Sequence, residues 1–224
     1  MRRDLRALKR RAKTLAGRLA KIHGTPDLGN VSDPVRELIY ISLTRQTHQI
    51  NAQRSWTDLW SRFPTPEEVR DADPLELEAV LRPAGFSRQK AGWIKGSLVR
   101  ISQCMGELSL EALAGAPDEE VVEFLTTLPG ISIKSALCIM MYSMNREVLP
   151  VDTHLRRIAE RTALVQPGLT ELRIHQRLQE VVPPKERFAL HVNSVAHGRA
   201  VCTALRPRCS DCVLYDVCKH GCGS

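Results

Sequence analysis

Leu128-Pro129-Gly130-Ile131-Ser132-Ile133-Lys134-Ser135-Ala136 lies between two stretches whose apolar residues recur at helical spacing, 118–125 and 132–144. Pro129 and Gly130 end the first helix and turn the chain. Ser132 stands where an N-cap would open the second. The spacing therefore predicts a helix–hairpin–helix. Such a turn aims backbone N–H groups and a helix N-terminus at one point, which suits a phosphate, with Gly130 and Ser132 as candidate contacts. Lys134 falls in the first turn of the second helix. The positive end of that helix disfavours a second positive charge, which favours the neutral amine a nucleophile must present. A lysine that simply meets a phosphate, or a solvated surface lysine, fits the same stretch.

Outward from the hairpin the helical period persists. Within 88–105, Ala91, Ile94, Leu98 and Ile101 fall at steps of three and four. The segments 35–43, 52–63, 74–81, 108–114, 152–164, 171–182 and 185–198 read the same way, with prolines between them or at their starts. Aromatic residues are only 4% of the chain, and no strand alternation is visible, so the class is all-α. With 224 residues and 43% hydrophobic content the chain can bury a core without covalent help. The longest apolar run, 136–142, is too short to span a bilayer. The N-terminus lacks the apolar h-region of a secretory signal.

The charge is uneven. Residues 1–26 hold nine Lys/Arg and one acid, Asp4, so this arm is +8 while the whole chain is +7. A basic, Leu-spaced arm suits nucleic acid, an anionic membrane surface, or a solvated helix face.

Seven cysteines are present, and Cys202, Cys209, Cys212 and Cys218 form C-x6-C-x2-C-x5-C within seventeen residues. Four thiols on short loops can converge on one centre. Without a secretory signal a disulfide framework is not expected, and a metal site is. Zinc accepts four thiolates but usually takes two close pairs, whereas here only Cys209 and Cys212 form one; an iron–sulfur cluster also takes four cysteines. Both readings stand on spacing. Cys104 and Cys138 read as buried small hydrophobes, and Cys222 as an incidental terminal thiol. Val151-Asp152-Thr153-His154 follows Pro150 and opens another amphipathic helix. Asp152 is a plausible N-cap, or a carboxylate that stabilises a developing cation or positions water. His154 reads as a helix-surface or core-edge residue.

Together these residues resemble the endonuclease III family of helix–hairpin–helix DNA glycosylases. The resemblance runs from about residue 30 to Lys219. Its most specific part is His197-Gly198-Arg199 leading into the four cysteines, followed by Leu128-Pro129-Gly130 with Lys134, then Val151-Asp152-Thr153-His154. The resemblance implies a two-lobed all-α protein: a six-helix barrel with the hairpin over 27–146, and a cluster domain formed by 1–26 and 147–224. It implies a [4Fe–4S] cluster on Cys202, Cys209, Cys212 and Cys218. The partner would be double-stranded DNA with damaged bases or abasic sites, crossing between the lobes with the damaged nucleotide flipped out. Lys134 would attack C1′ and Asp152 would stabilise the transition state, giving glycosylase and abasic-site lyase activity on oxidised or damaged pyrimidines. Gln46 would fill the gap left by the flipped nucleotide. Phe86 falls where the family carries an apolar wedge, although it also reads as a core residue at a helix entry. Arg206 and Arg208 would meet phosphates. The family also implies a monomer, cytoplasmic and nucleoid-associated in a prokaryote, with no membrane partner.

The chain departs from the family pattern at Ser132, where a second glycine is usual; were φ > 0 required there, the hairpin would have to differ. Ile133 replaces a usually polar position, and Gln49 stands where an Asp near the pocket is usual. An adenine glycosylase is disfavoured, since no acid lies between Glu37 and Asp58 and Ile41 occupies the needed place. The same residues also fit a DNA-binding or lyase-only paralogue with an altered pocket, or a zinc-stabilised interaction protein.

Overall fold

The computed structural model describes residues 2–221, so Cys222 lies outside the described residues. The chain forms two compact units, one of residues 1–29 with 147–224, the other of 30–146. Among the described residues the regular structure is helical throughout, with no strand.

The unit 30–146 carries α2 (Pro34–Thr44), α3 (Gln49–Arg62), α4 (Pro66–Asp71), α5 (Pro74–Leu81), α6 (Ser87–Met105), α7 (Asp118–Thr126) and α8 (Ile133–Ser143). Three of these open in one way. Asp33, Thr65 and Asp73 each accept a backbone N–H of the first turn, and Pro34, Pro66 and Pro74 follow at once. Proline is suited to that place because its missing N–H would have no partner within the helix. Helix α4 is too short, at six residues, to show an apolar period. Its signature is the Thr65-Pro66-Glu67-Glu68 start, in which Thr65 both accepts from the Glu68 N–H and meets its carboxylate. The segment 108–114, expected as a helix, forms only a short 3-10 turn at Glu111–Leu113. Cys104 is exposed rather than buried, while Cys138 is buried as expected.

Helices α2 and α8 pack against each other at the centre of this unit. In α2, Glu37 and everything from Leu38 to Leu43 is buried; in α8, so is everything from Ser135 to Met141. The hairpin joining α7 to α8 rests on α6. Gly130 has φ +75°, and a Cβ there would stand 2.5 Å from the Trp93 ring. Pro129 lies against Gly96, and its carbonyl accepts from Ser97 Oγ at 3.2 Å. Ser132 has φ −88° and ψ 169°, ordinary extended backbone, and caps α8 by accepting the Ser135 N–H at 3.3 Å. The hairpin therefore needs no glycine at 132, and serine supplies a cap that glycine lacks.

The other unit carries α1 (Arg2–His23), α9 (Thr153–Arg161), α10 (Glu171–Val181) and α11 (Pro184–Ala200), followed by the cysteine loop. The basic arm is α1. Its apolar stripe of Ala12, Leu15, Ala16 and Leu19 is fully buried in a core with Leu155, Ile158, Ile174, Leu178, Leu190 and Leu214. Arg6, Lys9, Arg10 and Lys13 are exposed. Among the described residues no helix is long and apolar enough to cross a membrane.

Gly130→Ala is expected to combine left-handed backbone strain with overlap on Trp93, lowering unfolding stability by about 2 kcal/mol or more. Urea unfolding measures this. A change within a few tenths of a kcal/mol would mean the turn relaxes freely.

Candidate functional site

In the unit 30–146 three loops are tied together. The first follows α2, where Gln46 is exposed with φ +50°. The second precedes α6, where Phe86 is 62% exposed with φ +50°. Phe86 is thus not a core residue. The third is the hairpin. Arg45 donates to the Gly130 carbonyl at 2.6 Å, and its guanidinium stacks 4.7 Å from the Trp93 ring centre. Lys90, on α6, sends a buried ammonium to Leu43 O at 2.8 Å, Ala84 O at 2.9 Å and Thr47 Oγ1 at 2.5 Å. Burial, and then the Arg45 charge, push the Lys90 pKa down to about 8.

Lys134 is the second residue of α8, directly after Ile133 and two positions beyond the Ser132 cap. It is half-buried. Glu37 is a buried carboxyl on α2 that accepts the Val31 N–H at 2.9 Å and the Asn30 side-chain amide. Burial drives its pKa up to about 7, against those two hydrogen bonds and the charge of Lys134, which lower it. A group that holds its proton to near neutrality therefore sits within electrostatic reach of Lys134. Periodicity alone does not mark it, because an acid inside an apolar run reads as a surface position.

In the other unit, Asp152 caps α9 by accepting the Leu155 N–H at 2.7 Å through Oδ1. Farther along that helix two arginines reach the cysteine loop. Arg157 Nε donates to Cys202 O at 2.8 Å; Arg161 donates to Cys202 Sγ at 3.1 Å, Thr203 O at 2.9 Å and Ala204 O at 3.1 Å. Gly198 on α11 has no side chain where His154 packs, so α9 and α11 approach closely. His197 Nδ1 bonds His23 Nε2 at 3.1 Å, and its Nε2 meets Cys212 Sγ at 3.3 Å. Burial and then His23 depress the His197 pKa to about 4, so the ring is neutral near pH 7. Arg206 is exposed at the loop tip, whereas Arg208 turns back to cap α11 through Ala200 O. The sequence contains no periodic signal for Arg157 or Arg161; their role emerges only when α9 lies beside the loop.

Residues 41–184 match the HhH-GPD superfamily of base excision DNA repair proteins. The chain belongs to that superfamily. Within it the protein stands with the endonuclease III family, because residues 202–218 match the iron-sulfur binding domain of endonuclease III. Endonuclease III of Escherichia coli K12 is 27% identical over 199 residues, spanning 88% of this chain and 89% of that protein. An Arabidopsis thaliana relative is 30% identical over 175 residues, spanning 78% of this chain but only 57% of its own length. The fold is similar to that of endonuclease III trapped as a covalent intermediate with DNA: TM-score 0.83, 22% identity, 95% of this chain and 96% of that one. The protein is a base-excision DNA glycosylase of this family, and it carries a [4Fe–4S] cluster.

The cysteine loop fits that cluster. Cys202, Cys209, Cys212 and Cys218 line one cavity with Arg161 and Pro207. Among the described residues no three His, Cys, Asp or Glu side chains close around a single metal ion. A four-iron core is larger than one ion and takes all four thiolates. Burial raises the Cys212 thiol, against a hydrogen bond from the Leu214 backbone that lowers it, and the other three cysteines add to the rise. Four thiolates at such quarters need a cationic core, and zinc gives way to iron–sulfur on the family match. A separate groove of about 890 Å³, lined by residues including Val165, Arg173 and Arg177, holds none of the expected site residues.

Two outcomes are expected here. Because Glu37 holds its proton higher when folded than unfolded, the native state binds more protons between the ordinary carboxylate range and about 7. Stability should fall as pH rises through that window, on the order of 3 kcal/mol in all. Glu37→Gln should flatten the profile in urea unfolding from pH 5.5 to 8.5; an unchanged slope would locate the pH dependence elsewhere. Separately, Cys209→Ala should abolish the broad absorption near roughly 400 nm, while Cys138→Ala should retain it.

Proposed function

We propose that this glycosylase is bifunctional, removing oxidised or damaged pyrimidines from duplex DNA and cleaving the resulting abasic site by β-elimination. The observation that carries the reading is Lys134, a half-buried amine in the first turn of α8 beside the Gly130 turn. In its neutral form the Lys134 nitrogen attacks C1′ of the flipped nucleotide. The C1′–N bond breaks and the base departs with its electron pair, taking up a proton. Opening of the sugar leaves an iminium between C1′ and the lysine nitrogen. That iminium acidifies C2′; loss of the C2′ proton expels the 3′ phosphate. Asp152 stabilises positive charge developing at the sugar and assists proton movement. Its Oδ1 is held by the Leu155 N–H, which fixes the carboxylate at the start of α9.

The remaining residues position the DNA in this reading. Gly130 and Ser132 offer the hairpin backbone to a phosphate. Gln46 fills the gap left by the flipped nucleotide, and Phe86 wedges between bases. The four cysteines would hold the cluster, which when bound would fold the loop that offers Arg206 to phosphates, while Arg208, expected beside it, is held on the Ala200 carbonyl. The cluster takes no part in bond breaking. The exposed cations of α1 add non-specific phosphate attraction. Its apolar stripe of Ala12, Leu15, Ala16 and Leu19 is spent inside its own unit. The protein acts as a monomer near the prokaryotic nucleoid. The neighbour whose structure is that of a trapped endonuclease III–DNA covalent intermediate supports covalent chemistry on this scaffold.

A lyase-only paralogue is the second reading. Ile133 motivates it: this hairpin residue is 38% exposed and its side chain has no polar group to meet a phosphate. Borohydride trapping separates the two on duplexes carrying an abasic site or an oxidised pyrimidine. Wild-type protein should cross-link to both, and Lys134→Ala to neither. Asp152→Asn should slow trapping by about a hundredfold. Cross-linking to the abasic site alone selects the lyase-only paralogue. No cross-link, with DNA binding and colour intact, removes the Schiff base.

A further inference from the structure

Lys90 contacts no surface. It is 1% exposed, yet it ends in an ammonium. A methionine of similar length would avoid the cost of burying that charge, so the informative feature is what the ammonium holds. Its three protons meet three acceptors that flank two separate loops: Leu43 O in the last turn of α2, Thr47 Oγ1 just past Gln46, and Ala84 O two residues before Phe86. Thr47 Oγ1 in turn donates to Ala84 O at 2.6 Å. The Lys90 backbone N–H donates to Phe86 O at 2.9 Å. Gln46 and Phe86, the two exposed residues flanked by these bonds, both adopt left-handed backbone that a non-glycine residue holds only when its surroundings impose it.

We propose that Lys90 is the positioning residue that locks the Gln46 and Phe86 loops into one DNA-facing element, so that gap filling and wedging occur in register. The proposal rests on the gap-filling role of Gln46 and the wedging role of Phe86 in the proposed function. Lys90 never touches DNA in it; the residue acts by denying the two loops independent motion.

The test uses the full, cluster-bearing protein in three forms: Lys90→Met, Thr47→Val, and Gln46→Ala with Phe86→Ala. Thr47→Val removes one link of the cage without leaving a buried charge unpaired, and serves if Lys90→Met does not fold. Hydrogen exchange is read at 44–48 and 84–87, and trapping is compared on duplex and single-stranded abasic DNA. Single-stranded DNA needs no gap filled. Both cage variants should speed exchange in both loops together. Lys90→Met should lose about tenfold to a hundredfold on duplex while staying within about twofold on single strands. Exchange that rises in one loop only overturns the proposal, as does equal loss on both DNAs, which would mark a purely structural lysine. If the Gln46→Ala, Phe86→Ala protein traps duplex like wild type, those two roles fail and the proposal falls with them. If that protein is impaired while Lys90→Met is not, the proposal alone fails.

Discussion

The hairpin turn exists because nothing stands between the Gly130 backbone and the Trp93 ring. A side chain at 130 would overlap that ring, and the turn's positive φ would strain any residue that bore one. Close approach then makes other contacts possible. Arg45 reaches the Gly130 carbonyl while stacking on the same Trp93, and Pro129 seats against Gly96. The start of α8, and with it Lys134, is thereby held by α6 rather than by its own short helix. In the proposed mechanism an amine that attacks one carbon gains from this, since small displacements of a reacting group are costly in rate.

Buried charge recurs in the same unit. Lys90 and Glu37 are both removed from water, and both are pulled toward their neutral forms by burial. Each is nonetheless given partners: carbonyl and hydroxyl oxygens for the lysine, N–H donors for the carboxyl. Left without partners, either group would cost more than a well-packed apolar side chain. The unit accepts these groups where they join segments that no apolar contact could join with the same directionality. Lys90 binds two loops at defined atoms, and Glu37 pins the start of the unit at Asn30 and Val31.

The cysteine unit solves a related problem from its helices. Leu214 anchors the thiol-rich loop in the core, and the rest of its backbone is held by Arg157 and Arg161 from α9 and by the caps at the end of α11. The helix that presents Asp152 at its N-terminus also carries these two arginines. One rigid element thereby sets both the carboxylate and the loop.

Helical class, the hairpin and the four-cysteine loop are all legible in order along the chain, because each depends on spacing between near neighbours. Apolar period marks a helix, Pro and Gly mark its ends, and ligand spacing marks a cluster loop. Ser132 as an N-cap is equally local, and its extended φ removes the expected conflict. What tertiary structure alone decided is which distant groups meet. No spacing rule places Lys90 beneath Gln46 and Phe86, turns Phe86 out to solvent, buries Glu37 near Lys134, or lays Arg161 against Cys202. Those pairings arise from how helices pack, and a side chain's partner across a packed interface is set by the register and direction of both helices together, which neither segment encodes by itself.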